Sequence, residues 1–152
     1  MTVRYDEARD EMFALFKAAW DANTTAIAGY VPEVRWQGKE LTTKPDRSKY
    51  WARVSLQSVL EQQATLSNCV IEPGKKKYES AGLIFVQVFA PKAIATAYDT
   101  LQKLAIVARD AYRGKTTPGN VWFRNVRINT LEPEELFYRL NVVGEYEFDE
   151  IG

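Results

Sequence analysis

The chain has 152 residues, 46% of them apolar and 26% charged, enough for one domain that buries a core without disulfide or metal staples. Twenty lysines and arginines offset 20 aspartates and glutamates, a balance that disfavours holding nucleic acid by neutralising its phosphates. Histidine is absent and cysteine occurs once, so there is no His–Ser or His–Cys dyad, no HExxH zinc site and no internal disulfide.

Residues 3–22 predict an amphipathic helix. Tyr5, Ala8, Met12, Phe16, Ala19 and Trp20 recur at helical spacing, and Asp6, Glu7, Asp10 and Glu11 suit the positive end of its dipole. VPEVRW at 31–36 is a short strand candidate. QGKELTTKPDRSK at 37–49 is a charged loop, expected to be among the most mobile parts of the chain.

From residue 50 the pattern alternates. Tyr50, Ala52, Val54, Leu56 and Leu60 take one face of a strand, and Trp51, Arg53, Ser55 and Gln57 take the other. The polar stretch 61–80 carries a Pro73-Gly74 turn signal, and 65–79 is expected to form a flexible hairpin tip with Lys75, Lys76 and Lys77 on it. AGLIFVQVFAP at 81–91 returns as a strand that is apolar on both faces. Ile84, Val86 and Val88 point one way, while Leu83, Phe85 and Phe89, interrupted by Gln87, point the other. A helix can cover one of these faces. The other needs a further covering layer, which marks a component of an assembly before it marks an enzyme.

Pro91 is expected to open a helix whose stripe runs Ile94, Ala97, Leu101, Leu104, Ala105, Ala108 and Tyr112 and which stops at Gly114. Strands follow at 121–131 and 136–148. In the last, Leu136, Tyr138, Leu140, Val142, Tyr146 and Phe148 oppose Arg139, Asn141, Glu145 and Glu147. Strands joined by turns pair antiparallel. The expected fold class is therefore α+β: a two-layer sandwich, with a mainly antiparallel sheet of two hairpins plus a short strand, packed by two helices.

Chemistry finds little support in this pattern. There is no GxGxxG, no GxxxxGK[ST] and no Asp-rich calcium loop, so no catalytic, cofactor-binding or metal-binding residue is assigned and no cofactor is expected. Glu134 and Glu135 are adjacent in a turn, where neighbouring carboxylates rarely converge on one atom. Cys69 has no neighbouring base to activate it. No apolar run approaches the roughly 20 residues of a membrane span, and the first residues lack the apolar core of a signal peptide, so an unprocessed protein away from the membrane is expected. Trp51, Trp122 and Phe137 face away from the core pattern. With Arg53, Gln57, Gln87 and the three lysines they make a candidate protein-contact surface.

An N-terminal helix, a charged loop, a strand reading WARVSLQ, its return as Gly82-Leu83-Ile84-Phe85-Val86-Gln87-Val88-Phe89-Ala90-Pro91, a long helix and a C-terminal hairpin together resemble the tail terminator proteins of long-tailed bacteriophages. The likeness covers nearly the whole chain. It implies a non-enzymatic virion subunit that forms a homo-oligomeric ring, a hexamer in that family, on the last ring of the tail tube protein. There it stops tube growth and offers a surface to the head completion or connector protein. It also implies assembly in the bacterial host cytoplasm and residence at the head-proximal end of the tail. A head–tail connector and a small ligand-binding or enzymatic α+β domain using carboxylates are the alternatives.

Overall fold

The computed structural model describes residues 3–39, 42–64 and 76–151. Its elements are α1 (Tyr5–Asn23), α2 (Thr25–Ala28), β1 (Glu33–Trp36), β2 (Trp51–Gln63), β3 (Lys77–Pro91), α3 (Ala97–Tyr112), β4 (Trp122–Thr130) and β5 (Phe137–Ile151). The five strands form one sheet in the order β1-β2-β3-β5-β4. Every pairing is antiparallel except β1 with β2, which is parallel. A hairpin tip can join only antiparallel strands. The parallel pair is possible because the long 37–50 connection carries the chain back to the same end of the sheet.

One sheet face is packed by the helices. Ala52 and Val54, then Ile84, Val86 and Val88, then Leu140, Val142, Tyr146 and Phe148 share a core with Met12, Phe16 and Trp20 of α1 and Leu101, Leu104, Ala105 and Ala108 of α3. The helical stripes and the even-numbered strand positions thus meet, as their periods require. Tyr112 is fully buried between the layers and donates its hydroxyl to the Met12 carbonyl at 3.0 Å, and burial holds its phenol well above the usual ionisation range. The first strand of contact with the chain's start is a backbone bond from Val3 N–H to the Asp149 carbonyl at 3.1 Å.

Several expectations need correction. Pro91 ends β3, where it stands opposite Phe137, and does not open the helix. Lys92 donates its N–H to the Leu136 carbonyl, a turn follows, and α3 starts at Ala97 behind Thr96. The helix does end as expected, with Gly114 in the left-handed region at φ 70. Lys77, Tyr78 and Glu79 belong to β3 and not to a hairpin tip: all three pair with β5, Tyr78 and Glu79 also pair with β2, and the Lys77 carbonyl accepts from the Ala64 N–H just past β2. Their main-chain groups are tied on two sides, which outweighs their polarity. Lys75, Cys69 and the Pro73-Gly74 turn lie outside the described residues. Leu136 precedes β5 and is largely exposed. Leu60 leaves the core face, because the β2–β3 register shifts between Ser58 and Leu60.

This bulge is closely packed. Gly82 faces it, and a Cβ on Gly82 would overlap the Gln57 carbonyl oxygen and the Tyr146 ring. Ser58 bonds the Tyr146 phenol and, at 3.0 Å, the Tyr5 hydroxyl, so the bulge, the glycine and α1 are locked together. We expect Gly82→Ala to cost about 1–3 kcal/mol, as overpacking does, although alanine is ordinarily the better strand residue. A urea titration checks this; an unchanged or raised midpoint would mean that both the β2 backbone at Gln57 and the Tyr146 ring yield freely.

Candidate interaction face

The odd-numbered strand positions face away from the helices, and this side carries the candidate site. At its β1–β2 corner the Trp51 and Phe89 rings stack with centroids 3.9 Å apart and planes at 4°. Phe137 meets both edge-on, at 5.9 Å and 6.2 Å. The three form a cluster separate from the main core. Trp51 is only 4% exposed, so it is a buried floor and not the exposed anchor that alternation alone suggests. The Arg53 guanidinium lies over Trp51 and Phe89, 5.3 Å and 5.5 Å from the ring centroids, and Arg35 lies over Trp51 at 5.7 Å. Stacking of this kind covers the rings and leaves the guanidinium edges open to a further partner.

Arg53 stands in a row that crosses all five strands. Arg35, Arg53, Gln87, Asn141 and Asn129 are successive register partners. Gln87 Oε1 and Asn141 Oδ1 are buried without a hydrogen-bond partner, as is the Trp51 indole N–H. Leaving such groups unpaired costs about 1–3 kcal/mol each, which is unusual in a finished surface. Toward the far end of the face, Arg124 and Arg127 pair with Glu145 and Glu147, at 3.6–3.9 Å. Trp122 is exposed beside them.

The corner is also cationic. Arg35, Lys44, Arg47 and Arg53 line a hollow of about 300 Å³ with Trp51, Phe137 and Leu136, opposed among the described residues by the Glu134 carboxylate. Glu134 already accepts from Arg139. Arg35 is held by Glu33 at 2.6 Å and by the Thr43 carbonyl at 2.7 Å. The Asp46 carboxyl, kept below its usual range first by the Ser48 hydroxyl, is engaged within its own turn. Among the described residues, Lys44, Arg47 and Arg53 have no carboxylate partner.

Trp51, Arg53 and Gln87 therefore come together, while Gln57 lies further along the same face of β2. Lys76 and Lys77 do not join them. Lys77 sits ten residues along β3 from Gln87, roughly 33 Å away, and pairs with Asp149 at 3.4 Å. Sequence reasoning missed Arg35, Lys44 and Arg47. Alternation in VPEVRW puts Arg35 on some face of a strand, but only the parallel β1–β2 register sets it over Trp51. Among the described residues no group of three or more carboxylate or thiol side chains is placed to hold a metal, and no helix is long and apolar enough to cross a membrane.

The architecture is thus a two-layer α+β domain with one sheet face left open. No protein-family model matches the sequence, and no curated protein matches it. One solved structure, whose name carries no function, shares the fold at 15% identity over 92% of this chain and 94% of its own, with a TM-score of 0.58. A chain from the virion of a native gene transfer agent particle aligns at 15% identity over 93% of this chain and 94% of its own, with a TM-score of 0.49.

Proposed function

We propose that this chain is a structural subunit of a phage-like virion. In this reading it closes the tail tube as a homo-oligomeric ring, ends tube polymerisation and presents the head-joining surface. The observation that carries the proposal is the open face of the sheet, which holds a sealed aromatic cluster, buried amide groups without partners and arginines without carboxylates. A monomer gains nothing from that combination. A subunit whose neighbours supply donors and carboxylates does. The order of elements from α1 to β5, with GLIFVQVFAP as its centre, supports the tail-terminator assignment within that class.

The partners are then a second copy, the tail tube protein and a head completion or connector protein, met at the head-proximal end of the tail after assembly in the host cytoplasm. Purified chain added to polymerising tube subunits is expected to give shorter tubes bearing a ring at one end in negative-stain images. Tubes of unchanged length with bare ends would overturn the terminator role. Rings bound to portal complexes instead would assign the chain to the connector.

A further inference from the structure

We propose that the cationic hollow over Trp51 is one half of the subunit–subunit contact, and that it receives the acidic first half of α1 from a second copy of this chain. This rests on the ring reading above.

The charge pattern selects the occupant. The chain is neutral overall, yet Lys44, Arg47 and Arg53 converge on one hollow without carboxylate partners. A second copy can supply the compensating charge from another part of its surface. Asp6, Glu7 and Asp10 provide it, as exposed carboxylates on the solvent side of α1. Among the described residues Asp6 meets Arg4 alone, at 3.4 Å, with both side chains largely in water, which holds it weakly. Arg9, the next cation along the helix, is turned to the Gln37 carbonyl.

Geometry excludes the nearer acidic segment. Glu134 lines the hollow, with Glu132 and Glu135 beside it in the chain, so using this segment would match like patches across a twofold axis and close a dimer. α1 belongs to the helix layer, on the other side of the sheet from the hollow. Hollow against α1 joins two different patches, the heterologous arrangement that a ring requires. A phosphate backbone suits the surface less well. The cations that continue along the face, Arg139, Arg127 and Arg124, are each paired with glutamates, which would repel a phosphate chain.

Light scattering across protein and salt concentration tests the pairing on the full chain. The wild type is expected to self-associate, and less so as salt rises. Arg53→Glu and Asp10→Arg are each expected to weaken association about tenfold or more, with thermal midpoints near the wild-type value, and the combined variant to recover most of the loss. Arg47→Glu, in the exposed loop, replaces Arg53→Glu if that variant fails to fold. A wild-type ring untouched by the Arg53 or Arg47 reversal overturns the pairing and leaves the ring reading standing. Loss in both single variants without recovery in the double also overturns it. A wild type that stays monomeric at every concentration overturns the pairing, and the tube-capping images then decide the ring reading by themselves. Binding of a short DNA duplex that depends on Arg53 and Arg47, without self-association, assigns the hollow to phosphate instead.

Discussion

Trp20→Ala is expected to destabilise the fold by about 3–5 kcal/mol. Trp20 is 1% exposed at the end of α1, stacked on Phe16 with centroids 5.1 Å apart. Its indole N–H donates to the Pro32 carbonyl at 3.1 Å, which fixes the segment leading into β1. Truncation opens a cavity and also leaves that buried carbonyl without its donor, so the transfer and hydrogen-bond penalties fall together. A domain of this size has about 5–15 kcal/mol in all, so the variant should be populated as unfolded well before the wild type in urea. A midpoint shift at constant slope is the measurement. A loss under about 1 kcal/mol would mean that α1 does not depend on this anchor.

Leu104→Ala is expected to cost about 2–5 kcal/mol. Leu104 is fully buried on α3 and shares the core with Val86, Leu140 and Val142. Two residues further on, Ile106 is 41% exposed on the opposite side of the helix. Ile106→Ala therefore serves as the internal contrast and should move stability by no more than about 0.5 kcal/mol. Equal losses at the two positions would mean that the solvent side of α3 is covered in solution.

The helices were legible because their signal is local. A stripe at i, i+3 and i+4 needs no knowledge of the rest of the chain, and the Gly114 stop follows from a left-handed residue that only glycine adopts freely. The start of α3 was misread for the same reason. Pro91 is acceptable in a first helical turn and equally acceptable at a strand end, and its opposition to Phe137, 46 positions away, decides between them. Leu60 shows a similar limit. Alternation carries it to the core face, and the Gly82–Tyr146 pair packed against the register shift lies on other strands.

The candidate site divides along that line as well. The sequence by itself determined that Trp51 and Arg53 stand on the face of β2 opposite the core, since period-2 alternation is a property of one strand. It also determined that β3 would be apolar on both sides and so incompletely covered by two helices. Only the tertiary structure decided that Trp51 is sealed by Phe89 and Phe137, that Arg35 arrives beside Arg53 through a parallel register, and that Lys77 lies far from both. These are contacts between strands distant in the chain. Their energy comes from pairing and stacking across the sheet, which no pattern within a single segment encodes.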